Sequence, residues 1–132
     1  IAIELSQRSR STVSCVGGQI SSSTLSLSGP QAEAFLATVN IDTAVLAATG
    51  YSAGAGFTVG SYTENSLKRR VIQKADKVIL LIDRSKLGRT LPFTFASLSD
   101  IDVVICDAPL PEDFIQAARA AGTEVLQVQP AK

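Results

Sequence analysis

The run Val78-Ile79-Leu80-Leu81-Ile82, closed by Asp83, constrains this chain more than any other feature. Five apolar residues are far too few to span a bilayer, and no apolar run in the chain is longer. Without alternation they present no polar face, so they read as a strand buried on both faces, the habit of parallel sheets. Asp102–Asp107, D-V-V-I-C-D, has the same character. A parallel sheet needs crossovers, and the sequence offers helices to make them. Pro30 opens one, with Ala32, Phe35, Leu36 and Val39 at the i, i+3, i+4, i+7 spacing of a buried face. Ser61 and Glu64 form an S-x-x-E capping box ahead of a helix over 62–75, whose apolar face is Leu67, Val71, Ile72 and Ala75. Pro111 starts the last helix, with Glu112 and Asp113 in the positive first turn, Arg119 near the negative end and Gly122 as the stop. Its inner face is Phe114, Ala118 and Ala121.

The remaining segments fill in the order. Ile1–Arg8 reads as the tail of a helix, and 12–16, T-V-S-C-V, as a short strand stopped by Gly17-Gly18. Ser21–Ser28 reads as a loop or a weak edge strand. The apolar stretch 43–48 is a strand, and 124–129 is the last one. Four glycines between Gly50 and Gly60 predict a loop. The resulting alternation of strands and helices predicts an α/β layered domain with a mostly parallel sheet. Neither a repeat nor a linker divides it, so residues 1–132 read as one domain.

Composition removes whole classes of function. The chain has 132 residues, 45% of them hydrophobic, too apolar for a disordered segment. Twelve basic residues balance twelve acidic ones, a poor general match for DNA phosphate. The absence of His excludes Ser-His-Asp and Cys-His catalysis and most zinc sites. Cys15 and Cys106 form no C-x-x-C pair, which predicts buried reduced thiols in a cytoplasmic protein, with neither metal nor disulfide. Aromatic residues are 5% and Trp is absent, so base-stacking platforms are not expected. There is no signal peptide and no membrane partner is expected. G-x-G-x-x-G and G-x-S-x-G are both missing, and no cofactor is expected. Met is absent even at position 1, which reads as a piece of a larger protein.

Ligands of open α/β sheets bind beyond the carboxyl ends of the strands. Those positions here are Gly17-Gly18, Thr49-Gly50, Asp83-Arg84-Ser85-Lys86 and Asp107. Charge concentrates nearby: from Lys68 to Arg89 there are eight basic residues and two acids, whereas from Asp100 onward there are six acids and two bases. Such an excess suits a small anion, each charge-assisted hydrogen bond contributing about 1.5–3 kcal/mol. Lys86 reads either as a phosphate or sugar-oxygen contact oriented by Asp83, or as a solvated turn lysine. The run Lys68-Arg69-Arg70 reads either as part of the same site or as a solvated helix face with a Glu64–Lys68 pair. Gly17-Gly18 reads either as backbone N–H donors to an anion or as a tight turn.

These residues resemble a known family. G-G at 17–18, S-G-P at 28–30, D-x-x-x-L-A-A-T-G at 42–50, G-F-T at 56–58, E-N-S-L-K-R at 64–69 and V-I at 71–72 fit it in order. So do V-I-L-L-I-D-R-S-K-L-G at 78–88, L-S-D-I-D-V-V-I-C-D at 98–107, and the L-P-E-D helix leading to E-V-L. The pattern is similar to the C-terminal effector-sensing domain of DeoR-type bacterial transcriptional regulators. The resemblance implies a Rossmann-like fold similar to ribose-5-phosphate isomerase and glucosamine-6-phosphate deaminase. It implies a homo-oligomeric repressor-type regulator, not an enzyme, that binds a phosphorylated sugar or related metabolite. Carried over by position, Gly17, Gly18, Lys68, Asp83, Ser85 and Lys86 are the ligand-binding residues.

One departure matters. The family's sensing domain opens with a strand and a D-x-G-T-T-type phosphate loop, which nothing here matches, and no helix-turn-helix domain precedes it. The chain thus reads as N-terminally truncated: operator DNA is contacted only through the missing domain, ligand binding by this piece is weak, and exposed apolar edge surface favours self-association. A sugar-phosphate isomerase or deaminase with Asp83 or Asp107 as base is the alternative, as is an oligomerisation module with a vestigial pocket. In the sensor reading, ligand at the strand ends orders the 50–60 loop and the start of the Lys68 helix, shifting an oligomer between DNA-binding states. That reading needs the amines of Lys68 and Lys86 to converge on one crevice.

Overall fold

A computed structural model describes residues 1–128 and divides the chain into two compact units, Ile1–Val39 and the residues from Asn40 onward. In the first, helix α1 (Ala2–Arg8) carries an exposed Glu4–Arg8 pair at 2.7 Å. A two-residue ribbon of β1 (Gln19–Ile20) and β2 (Leu27–Ser28) follows, then α2 (Pro30–Ala37). The strand expected at 12–16 is absent: the segment has no ladder partner, and the ribbon begins only after the positive-φ pair Gly17-Gly18. Cys15, in that unpaired segment, is exposed rather than buried. On α2 the buried stripe is narrower than the periodicity suggested. Ala32 and Leu36 are buried, whereas Phe35 is 36% exposed and Val39 lies past the helix end.

The second unit is built on a four-stranded parallel sheet. Its strands are β3 (Ile41–Ala47), β6 (Ala75–Ile82), β8 (Val103–Cys106) and β9 (Glu124–Gln127), side by side in that order. The expected end of the last strand, Gln129, lies outside the described residues. Between β3 and β6 come β4 (Gly50–Ser52), β5 (Gly56–Val59) and α3 (Tyr62–Lys74). Between β6 and β8 come a 3-10 turn at Arg84–Lys86 and β7 (Phe93–Ala96). Helix α4 (Glu112–Ala121) joins β8 to β9 and stops at left-handed Gly122, as its sequence signals predict. The architecture is α/β with a mostly parallel sheet.

Residues 50–60 correct the sequence reading most. They are not a loop: β4 and β5 form a hairpin that pairs through β5 with β7 into a three-stranded antiparallel sheet. Gly56 sits there at φ +75°, and a Cβ on it would come within 2.5 Å of the Ala96 carbonyl oxygen. The glycine permits close backbone approach rather than breaking the strand. Phe57, Thr58 and Val59 are fully buried. The Thr58 hydroxyl donates to the Gly50 carbonyl at 3.2 Å and accepts from the Leu91 N–H at 3.1 Å, so this buried polar side chain is satisfied.

The core lies on one face of the parallel sheet. Leu46, Leu80, Val104 and Val125 share a row, and with Val78, Ile82 and Cys106 they pack with Phe57, Val59, Phe95, Phe114 and Ala118. On the opposite face Ala47, Leu81, Ile105 and Leu126 share a row. Leu81 is 43% and Leu126 42% exposed. The prediction that 78–82 is buried on both faces therefore fails, because among the described residues every crossover packs its apolar side onto the same face. Exposed apolar surface exists as expected, and it reaches both edge strands at Val45 and Leu126. The expected capping box at Ser61 is half formed. Ser61 Oγ accepts from the Glu64 N–H at 3.5 Å, but the Glu64 carboxylate turns to Lys68.

Candidate functional site

Strands β3 and β6 are parallel neighbours, with Ala47 paired to Leu81, so the residues that follow each of them emerge at the same end of the sheet. Asp83 follows β6 directly and organises the turn. Its Oδ1 accepts from the Ser85 N–H at 2.9 Å and from the Ser85 hydroxyl, while Oδ2 lies 3.5 Å from Lys86 Nζ. An Asx-type cap of this kind fixes a short turn through its own backbone. The Ser85 hydroxyl, with smaller help from the Ser85 N–H and Lys86, holds the Asp83 carboxyl below the usual carboxylate range against a modest desolvation cost. Asp83, Ser85 and Lys86 are therefore one hydrogen-bonded unit.

A pH dependence follows. Because Asp83 titrates below its unfolded value, its contribution to the turn is fully present above the ordinary carboxylate range, near pH 4, and is lost as pH falls through the lower folded value. Ser85→Ala removes the largest stabilising contact. The Asp83 carboxyl then titrates closer to its ordinary value, read from its side-chain 13C shift against pH; an unmoved titration would contradict the turn geometry.

Lys68 reaches the neighbouring strand end from α3. Its Nζ donates to the Ala47 carbonyl, pairs with Glu64 at 2.8 Å, and stands 5.0 Å from the centroid of the Phe95 ring. Its side chain is 15% exposed, against 29% for Lys86. The two lysines thus stand at the carboxyl ends of adjacent strands, and no hydrogen bond or ion pair links Lys68 to the 83–86 turn. The Glu64–Lys68 pair foreseen as the plain alternative is real. Two of the three ammonium donors are used within the chain, leaving one. Arg69 and Arg70 are exposed, in keeping with a solvated helix face, although Arg69 also borders a cleft of about 290 Å³ beside β7.

Asp107, at the end of β8, accepts from the Arg84 N–H at 3.2 Å and from the Cys106 thiol at 3.7 Å. It ties the turn to the next strand. Burial pushes the Cys106 thiol up, which leaves it protonated and unreactive. Gly17 and Gly18 belong to the first unit. Both have positive φ, and a side chain on Gly18 would collide with the Ser28 carbonyl oxygen, so the tight-turn reading accounts for Gly18. The four residues of the second unit share one sheet end.

Sequence reasoning missed a neighbour of the turn. A cavity of about 220 Å³ lies beside Leu87 and Gly88, walled by Tyr51, Asp113, Phe114 and Ala117. The glycine-rich sequence around Tyr51 predicts a loop, and nothing in it couples Tyr51 to Asp113. Among the described residues no group of His, Cys, Asp or Glu is placed to hold a metal ion, and no helix is long and apolar enough to cross a membrane.

Residues 1–108 match the family model described as the DeoR C terminal sensor domain. The chain is 36% identical over 126 residues to the HTH-type transcriptional regulator GlpR of Haloferax volcanii, covering 96% of this chain and 49% of that protein. It is 31% identical over 131 residues to the uncharacterized HTH-type transcriptional regulator YulB of Bacillus subtilis, covering 99% and 51%. It is 30% identical over 126 residues to the HTH-type transcriptional repressor GlcR of the same organism, covering 96% and 48%. The chain spans about half the length of these relatives.

Proposed function

The chain belongs to the DeoR C-terminal sensor domain family, and from that premise we propose that it senses a phosphorylated sugar or related metabolite for a transcriptional repressor. The family is one of sensors rather than enzymes, so the chain's task is to convert ligand binding into a change of state. In this reading the anionic group of the ligand settles at the carboxyl ends of β3 and β6. Lys86 gives up part of its long contact with Asp83 to meet it, the Ser85 hydroxyl lies beside it, and the unused donor of Lys68 reaches it from the far side. The observation that carries the reading is the placement of two ammonium groups at adjacent strand ends, one of them in a turn pre-organised by Asp83.

The rest of the cycle lies in the longer regulator. Operator DNA is contacted by a helix-turn-helix segment outside residues 1–132, and the regulator works as an oligomer in the cytoplasm. Ligand shifts the population of DNA-binding and non-binding forms by its differential affinity for the two. The 50–59 hairpin is already formed, so the ordering step rests on the 83–86 turn and the Lys68 clamp.

The test is an NMR titration of this chain with inorganic phosphate. The Ser85 and Lys86 amides are expected to shift, and Lys86→Ala to weaken binding about tenfold, the scale of one charge-assisted hydrogen bond. Unchanged affinity in Lys86→Ala would remove the turn from the site.

A further inference from the structure

The polar group least accounted for by the fold is the Tyr51 hydroxyl. Tyr51 is 7% exposed, with its ring held between Phe57 and Phe114 at centroid distances of 4.8 Å each. Buried tyrosine hydroxyls ordinarily find a partner, yet among the described residues none is within hydrogen-bonding reach of this one. Nor is the oxygen sealed in, since among the described residues the one fully occluded side-chain polar atom without a partner is Asn65 Oδ1. The open space that Tyr51 borders is the cavity of about 220 Å³ beside Leu87.

We infer that this cavity is the subsite for the hydroxyl-bearing carbon chain of a small polyol or sugar, held by the Tyr51 hydroxyl and the Asp113 carboxylate. The inference rests on the proposed sensor function, because the cavity begins at Leu87, one residue beyond Lys86. A sugar hydroxyl both donates and accepts, and the two protein groups answer both roles. Burial first, and the Asp113 carboxylate second, push the Tyr51 phenol above its ordinary value, so it is protonated and able to donate at neutral pH. Asp113 Oδ1 takes the Phe114 N–H at 2.9 Å, and its other oxygen has no hydrogen-bond partner among the described residues.

The remaining walls support a carbon chain rather than a second anion. Leu87, Phe114 and Ala117 supply apolar surface for C–H groups, while the Asp113 charge disfavours a second anion inside the cavity. The Ser52 hydroxyl also borders the cavity but is bonded to Thr90 Oγ1 at 2.8 Å, so Tyr51 and Asp113 carry the polar recognition. The volume is below the 300–1,000 Å³ usual for drug-sized ligands and suits a metabolite fragment. Clamping of Tyr51 by two rings and by its β-bridge to Leu87 fixes the hydroxyl before ligand arrives, which lowers the ordering cost of binding.

Three sets of probes separate the subsite from the anion site: glycerol, D-glucose and D-fructose; their monophosphates; and inorganic phosphate alone. Each is titrated into the 15N-labelled chain. At least one uncharged polyol is expected to shift the Gly88, Asp113 and Ala117 amides, and its monophosphate to shift those and Ser85 and Lys86 as well. Tyr51→Phe should weaken polyol binding about threefold to tenfold and Asp113→Asn about tenfold, with inorganic phosphate unaffected by Tyr51→Phe. Since the Tyr51 hydroxyl has no hydrogen-bond partner among the described residues, Tyr51→Phe should leave the urea midpoint unchanged, which separates a ligand contact from a structural one. Phosphate shifts at Ser85 and Lys86 with no polyol response, or polyol binding indifferent to both substitutions, would overturn the subsite and leave the anion site standing. Polyol binding at the cavity without any phosphate shift would retain the subsite and overturn the Lys86 site. Silence from every probe would overturn both.

Discussion

Phe57→Ala is expected to cost about 3–5 kcal/mol, the range for deleting a fully buried aromatic side chain. Against a total stability of about 5–15 kcal/mol for a natural domain, that leaves a large unfolded population. Phe57 has no exposed surface, and it sits in the middle strand of the three-stranded sheet. Its ring lies 4.8 Å from that of Tyr51 and 6.4 Å from that of Phe95. Removing it opens a void where the hairpin meets the parallel sheet, and a core packed at crystal-like density relaxes into such a void only in part. The comparison variant is Phe35→Ala in α2, where the ring is 36% exposed and the loss should stay within about 1 kcal/mol. Urea unfolding followed by circular dichroism reads both. Equal losses would mean that the hairpin is not part of the core.

That expectation depends on a segment whose sequence points elsewhere. Gly50, Gly54, Gly56 and Gly60 look like punctuation, since glycine costs a strand entropy and packing. Two of them instead mark contact: a Cβ on Gly50 would lie 2.6 Å from the Arg89 carbonyl oxygen, and one on Gly56 2.5 Å from that of Ala96. Composition cannot tell a flexible glycine from a crowded one, because the crowding comes from residues about 40 positions later. The same gap hid β7, four residues long and paired to a strand already read as a loop. By contrast 78–82 and 103–106 announce themselves through apolar runs, and α4 through Pro111 and Gly122, all local signals. At the site, Asp83, Ser85 and Lys86 were legible because one turn contains them. Lys68 came from charge and from the family pattern. Its Ala47 and Phe95 contacts were hidden, and so was the Tyr51–Asp113 cavity, because both arise where distant elements pack.

Lys68→Ala should cost about 2–3 kcal/mol of stability, whereas Lys86→Ala leaves the unfolding midpoint within error. The difference lies in what each ammonium does for the chain. Lys68 holds three groups at once: the Glu64 carboxylate at 2.8 Å, the Ala47 carbonyl and the face of Phe95. Its side chain is 15% and that of Glu64 20% exposed, so truncation leaves a poorly hydrated charge and a carbonyl without its donor. The cation–π contact adds about 0.5–1 kcal/mol to what is lost, though the three losses share one side chain and do not sum. Lys86 instead faces a single carboxylate at 3.5 Å, with Asp83 46% exposed, an ion pair of the kind that contributes little. Lys68→Gln keeps a donor for Ala47 and loses the charge, so it should fall between the two, and a Glu64→Gln, Lys68→Gln cycle isolates the ion pair. The consequence for function is a division of labour. Lys68 positions the end of β3 and offers one remaining donor, so its replacement weakens ligand binding through the fold as well as by contact. Lys86 makes only its long, half-exposed contact with Asp83, which leaves it free to respond to an arriving anion. Equal stability losses for Lys68→Ala and Lys86→Ala in urea unfolding would show that the clamp at β3 does not hold, and with it the asymmetry from which the sensing turn draws its freedom.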